Sequence, residues 1–261
     1  MTARFHCPVA ISVGVEMPLP EEAAHHAARV LRLAEGDAVV LFDGEGGEYA
    51  ARLVRVGREV WVRVESHAAA DRESPLTVSL VQGLAVADKM DWIVQKATEL
   101  GVAAVHPVAA SRSVMKLTGD RADKRVAHWQ GVAVAACEQS GRNRVPVVSP
   151  VRSLAQWLAD WRAGAGKAGQ CWVLDPQGAI PLARMAPPAG PVALLIGPEG
   201  GWTEQELVAI RGAGAQAVTL GPRILRTETA GLAALAAMQG LWGDFGAGSG
   251  ATGGPGCEPG A

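Results

Sequence analysis

No stretch of this sequence stays apolar for long. The longest uninterrupted run is Leu232 to Met238, and Val192 to Ile196 is shorter, both well short of the ~20 residues that a bilayer-spanning helix needs. No charged segment leads into an apolar one at the start, so an export signal is not expected and a cytoplasmic setting is. Cysteine is scarce and scattered: Cys7, Cys137, Cys171 and Cys257 form no CxxC pair in 261 residues, which argues against a zinc site or a disulfide framework. GxxxxGK[ST] is missing, and no GxGxxG falls in the strand-to-helix loops over 196–203 and 220–230, which disfavours a P-loop nucleotidase and a Rossmann dehydrogenase. Neither HExxH nor a paired histidine cluster occurs, so no catalytic metal is expected; the adjacent His25 and His26 would point in different directions on a helix. Ser140-Gly141-Arg142-Asn143-Arg144 is too polar and basic for a nucleophile elbow, which takes the form GxSxG, and reads instead as a binding segment.

What is present describes a globular protein. Hydrophobic residues make up 49%, charged residues 19%, and the mean hydropathy is +0.14, a composition that excludes a fibrous or mostly disordered chain. The length allows two self-sufficient cores. The net charge of −2 conceals an asymmetry, because residues 1–73 carry 8 Lys/Arg against 12 Asp/Glu and the remainder 16 against 14. Between Arg112 and Arg144 seven cations, among them Lys116 and Arg142, face three acids. Such a segment suits phosphates, although a charge run on a helix is also an ordinary solvated face.

Residues 37–67 read as a β-meander turning at Gly44-Glu45-Gly46-Gly47, preceded by a helix over Glu21–Leu33 with Ala24, Ala27, Ala28 and Leu31 inward. The small, polar, Pro-terminated stretch Ala68–Pro75 marks a boundary, dividing a β domain over 1–73 from a second domain over 74–242. From Leu76 on, strand-like runs alternate with helical patterns, which predicts an α/β domain with a largely parallel sheet. Ser153 with Gln156, and Thr203 with Glu206, have capping-box spacing and set two helix starts. Residues 243–261 hold eight glycines and no periodic apolar face, so a flexible tail is expected there.

In open α/β sheets ligands bind where strands lead into helices. Two such loops stand out. Ile196-Gly197-Pro198-Glu199-Gly200-Gly201-Trp202-Thr203 follows the most apolar strand; its glycines let backbone approach a ligand, and an acid sits between Pro198 and Gly200. The second, Leu220 to Ala230, sets Arg223, Arg226 and Glu228 beside Thr227 and Thr229, with apolar Ile224 and Leu225 between the arginines. Unpaired charge next to apolar residues is costly to bury, and a binding loop accommodates it better than a plain turn.

These loops, with HHAARVLRLAEGD (25–37), LFDGEGGEY (41–49), KMDWIVQKATELGV (89–102), SRSV (111–114), EQSGR (138–142), LIGPEGGWTEQE (195–206) and LGPRILRTETAGLAAL (220–235), resemble the SPOUT-class RNA methyltransferases, specifically the ribosomal small-subunit RNA methyltransferase E family. The resemblance implies a PUA-like β-barrel followed by a SPOUT-like α/β domain with a carboxyl-terminal trefoil knot. It implies an S-adenosylmethionine-dependent enzyme that methylates uracil N3 of 16S rRNA, at uridine 1498, in a homodimer acting on the small ribosomal subunit. Carried over, cofactor contact falls to Leu195, Ile196, Gly197, Pro198, Glu199, Gly200, Gly201, Leu220, Gly221, Ile224 and Leu225. Arg226 and Glu228 become the candidates at the reacting end, with Arg226 stabilising an anionic uracil and Glu228 orienting it or taking the proton through water. His25, Arg29, Arg32, Arg112, Lys116, Arg142 and Arg144 are the expected RNA contacts. A slightly acidic chain favours an assembled subunit over naked RNA as substrate. The alternative is a non-catalytic RNA-binding or ribosome-assembly factor of the same fold, which should have lost the knot-loop glycines that this sequence keeps.

Overall fold

The computed structural model describes residues 2–164, 169–178 and 180–245. Residues 246–261, most of the expected flexible tail, lie outside the described residues.

A first sheet of five strands has the order β1-β3-β4-β5-β2, formed by β1 Ala3–His6, β2 Glu16–Pro18, β3 Ala38–Phe42, β4 Glu48–Val56 and β5 Val60–Ala68. The β3–β4–β5 meander is antiparallel, whereas β1 joins β3 in parallel. Alternation along the strands sends Phe5, Leu41, Leu53 and Val62 into one core, to which the preceding helix adds Ala23 and Ala27. That helix is shorter than its spacing predicts: α1 covers Glu21–His25 and continues as a π turn over His26–Val30. The wider turn rotates the following residues off the inner face and Arg32 takes a left-handed φ of 54°, so Leu31 is 43% exposed rather than inward.

The second sheet has the order β11-β13-β10-β12-β6-β7-β8, with β9 beside β7, and every pairing in it is parallel. Its strands are β6 Val78–Gly83, β7 Ala104–Ala109, β8 Val147–Val148, β9 Arg152–Ser153, β10 Gln170–Leu174, β11 Ile180–Pro181, β12 Val192–Ile196 and β13 Gln216–Thr219. The helices are α2 Ala87–Glu99, α3 Asp120–Ser140, α4 Leu154–Ala163, α5 Glu204–Gly212 and α6 Thr227–Trp242. Both capping boxes form, at Ser153 and at Thr203. Apolar clusters cover both faces of the sheet, as a parallel sheet requires. The two-residue strands β9 and β11 carry too little pattern to be read from sequence.

Between the sheets lies a polar junction. Arg72 and Arg4 both reach Glu48, at 2.8 and 2.7 Å. Arg142, expected at an RNA surface, is instead 5% exposed. Its guanidinium pairs with Glu73 at 2.5 Å and donates to the carbonyls of Thr98 and Val102 at 2.8 and 3.0 Å. With α3 ending at a left-handed Gly141, the chain turns Arg142 inward, where its donors are consumed by the fold and none faces a phosphate.

Among the described residues no helix is long and apolar enough to cross a membrane, and no group of three His, Cys, Asp or Glu side chains could hold a metal. Cys7, Cys137 and Cys171 are free and buried, and burial pushes each thiol up to about 12, which removes them as nucleophiles at neutral pH.

Candidate active site

Strands β12, β10 and β13 are neighbours and run the same way, so their carboxyl ends deliver three loops to one place. A cavity of about 550 Å³ opens there, within the size range of small-molecule sites. Its apolar walls are Leu174, Ile196, Val218, Leu220 and Leu225; Lys89, Glu199, Arg223 and Arg226 supply charge. Asp175, at the end of β10, also lines it and is held by Arg211 at 2.8 Å.

The two long loops are tied together from below. Thr227 Oγ1 donates to the Gly197 carbonyl at 2.6 Å and accepts from Gln82 Nε2 at 2.9 Å, joining α6, the 197–203 loop and β6. Gly83 is required at the same spot, because a Cβ there would stand 2.6 Å from the Pro198 ring. Glu206 closes its capping box on Thr203 and accepts from the Ser111 amide at 2.8 Å. Burial opposes ionisation of that carboxyl, but the Thr203 and Ser111 donors outweigh it and hold the pKa below the usual range.

Glu228 itself lies outside the lining and pairs with the lining Lys89, whose Nζ is 3.1 Å from Oε2, and Lys89 also stands 3.6 Å from Glu199. Burial pulls the Glu228 carboxyl up; its own backbone N–H, Lys89 and the Arg226 charge together bring it below the ordinary range. It is therefore a carboxylate at neutral pH and a weak base. Arg226 is exposed on the rim as the residue preceding α6.

Of the residues expected to meet a cofactor, Ile196, Gly197, Pro198, Glu199, Gly201, Leu220, Ile224 and Leu225 line this cavity. Leu195 does not: strand alternation turns it to the opposite face of the sheet, where it is fully buried. Gly200 faces Arg112, to which its carbonyl is hydrogen-bonded at 3.0 Å. Gly221 lies beyond the lining and serves the turn through a φ of 117°. Lys89, Asp175, Trp202 and Thr227 are lining residues that sequence reasoning missed. Lys89 sits inside the KMDWIVQKATELGV segment, but only the fold brings that helix start beneath the other two loops.

Among the expected RNA contacts, His25, Arg29 and Arg32 are exposed on the β domain, as are Arg112, Lys116 and Arg144 on the other. The Arg144 guanidinium lies over Gly46 and its amide donates to Glu73 at 3.3 Å, so it borders the junction that Arg142 fills.

A parallel α/β sheet with its cavity at converging strand ends, beside a small β domain, matches two family models: an RNA methyltransferase domain over residues 72–239 and an RNA methyltransferase PUA domain over 19–65. The class is thus a two-domain RNA methyltransferase. More narrowly, the chain belongs to the ribosomal RNA small subunit methyltransferase E family. It is 37% identical to the Bacillus subtilis member over 226 residues, 83% of this chain and 87% of that one. The Mycobacterium bovis member is 34% identical over 82% of each chain. Among solved structures, that of the Neisseria gonorrhoeae member bound to S-adenosyl methionine superposes with a TM-score of 0.87 at 41% identity, covering 94% of this chain and all 100% of that one. A Legionella pneumophila chain, described as a methyltransferase in complex with the same cofactor, also gives 0.87, at 34% identity over 94% and 99% of the two chains.

Proposed function

We propose that this chain methylates N3 of a uridine in 16S rRNA of the small ribosomal subunit, uridine 1498 by family resemblance, with S-adenosylmethionine as cofactor. We further propose a homodimer in which the 196–203 and 219–227 segments form the trefoil knot, and a division into a PUA-like domain over 1–73 and the methyltransferase domain over 74–242.

The observation that carries the reading is the cavity at three converging strand ends with the Arg226 guanidinium on its rim. The cofactor fits what lines it. Apolar walls suit a purine and glycine backbone allows close approach, while the Trp202 indole N–H, buried at the lining with no partner among the described residues, is a donor that a polar ligand would satisfy. Gly197, Gly201, Leu220 and Leu225 would hold the group. When bound, S-adenosylmethionine supplies an electrophilic methyl group.

The chain's own task is to present a deprotonated uracil to it. In a base-paired uracil N3 is occupied, so the target must be unpaired or flipped into the site. Among the described residues no carboxylate pairs with Arg226, while Glu228 is engaged by Lys89. The guanidinium is thus available to stabilise negative charge on the uracil as N3 loses its proton. The lowered carboxyl of Glu228 suits a counter-ion that fixes the rim better than a proton store. Exposed Arg29, Arg32, Arg112, Lys116 and Arg144 would hold phosphates.

Calorimetric cofactor affinity and single-turnover methyl transfer to unmodified small subunits, measured for Arg226→Ala, test this assignment. A lost rate with near-normal cofactor binding agrees with it. Unchanged turnover contradicts it, and absence of transfer by the wild-type protein favours the non-catalytic assembly factor.

A further inference from the structure

Two loops and one helix meet at a single ammonium group. Lys89, in the first turn of α2, lies 3.6 Å from Glu199 Oε1 in the 197–203 loop and 3.1 Å from Glu228 Oε2 at the start of α6. Glu199 Oε1 also accepts from the Val86 amide at 3.0 Å, so the same loop is bound twice to the beginning of α2. Glu228 Oε2 is shielded from water and lacks a well-directed hydrogen bond; the nearby ammonium is what offsets its burial. The side chains of all three residues are partly buried, at 26%, 23% and 19% exposure, so solvent screens the cluster less than it would a surface pair.

The cluster holds two carboxylates and one cation. Without the cation, two like charges would stand near each other beside the cavity, and among the described residues the only side-chain hydrogen bond between the 197–203 loop and α6 is that of Thr227 to Gly197. Glu228 is faced by Lys89 from α2, by Glu199 from the 197–203 loop and by Arg226 from its own preceding turn.

We propose that Lys89 is a positioning residue: its ammonium pins the 197–203 loop and the start of α6 to α2 as one unit, and so fixes the rim on which Arg226 stands. This rests on the reading of the cavity as the methyl-transfer site, and it adds a residue that acts through others and needs no contact with either substrate. Lys89 is also among the groups that bring the Glu228 carboxyl below its ordinary range.

The test uses the full chain without ligand first. Amide hydrogen exchange at Val86 and carboxyl carbon NMR of Glu228, assigned with Glu228→Gln, are compared among wild type, Lys89→Met and Lys89→Arg. The Met variant should exchange Val86 roughly tenfold faster, as local opening becomes easier, and should titrate Glu228 at higher pH. The Arg variant, which keeps the charge, should restore both. Should the Met variant not fold, Lys89→Gln supplies the same comparison. Cofactor affinity and turnover follow, with weaker binding and a slower rate expected for Lys89→Met and rescue by Lys89→Arg. Wild-type exchange and wild-type Glu228 titration in a folded, charge-free variant would overturn the proposal. Absence of methyl transfer by the wild-type protein would instead overturn the functional reading and leave the ligand-free result standing.

Discussion

The Thr227 hydroxyl lies 2.6 Å from the Gly197 carbonyl and 2.9 Å from the Gln82 amide nitrogen, so two cavity-lining residues are tied to β6. Thr227→Val keeps the shape but leaves both partners without their bond. The expected loss is about 1–3 kcal/mol, seen in urea unfolding as a lower midpoint at unchanged slope. Thr227→Ser should stay near wild type. Equal stability of the Val and Ser variants would show that the strut does not hold the loops.

Two glycines should act through packing before any ligand is present. A Cβ on Gly83 would stand 2.6 Å from Pro198 backbone and ring, and one on Gly200 would stand 2.8 Å from the Arg112 Cβ. Gly83→Ala and Gly200→Ala should therefore each lower the melting temperature of the ligand-free protein, by roughly 1–3 kcal/mol of overpacking. Unchanged melting with weakened cofactor binding would place these glycines against the ligand instead.

Arg142 separates stability from RNA affinity. Removing one member of a buried, hydrogen-bonded pair costs about 3–5 kcal/mol, so Arg142→Met should be markedly less stable while the salt dependence of RNA binding, measured where the variant is folded, keeps its slope. Arg144→Ala should do the reverse, lowering the slope by about one unit at little cost to stability. A slope reduced by the Arg142 change would return that residue to the RNA surface.

The junction should also respond to acid. The Arg72 guanidinium first, then Arg4, hold the Glu48 carboxyl at about 2 against the opposing pull of partial burial, where a free glutamate stands near 4.5. Because the folded value is the lower one, the stabilisation is complete above the ordinary carboxylate range and is lost as pH falls through the window down to about 2. Unfolding of wild type and Glu48→Gln should differ at neutral pH and converge across that window. A difference independent of pH would contradict the assignment.

Much of this was legible in the sequence because the signals were local. The Ser153/Gln156 and Thr203/Glu206 spacings marked two helix starts to the residue, and the apolar run Val192–Ile196 followed by a glycine-rich loop located one wall of the cavity. What could not be read depended on distant partners. Arg142 and Arg144 in Ser140-Gly141-Arg142-Asn143-Arg144 look alike in sequence, yet Arg142 finds Glu73 sixty-nine residues away while Arg144 stays exposed. Likewise Arg226 and Glu228 look like an ion pair two residues apart, but the fold brings Lys89 to Glu228 from a helix far upstream. The resemblance carries Leu195 to the site beside Ile196, and strand alternation turns its side chain to the opposite face of the sheet.

Mass-spectrometric mapping of 16S rRNA reads methyl transfer to a single uracil nitrogen. Small subunits from cells lacking this chain are incubated with S-adenosylmethionine and either wild-type protein or Arg226→Ala. One new methyl group is expected, on uracil N3 of uridine 1498 as the resemblance implies, made by the wild type and lost in the variant while cofactor binding persists. A methyl group elsewhere, on another atom, or formed equally by Arg226→Ala would contradict it.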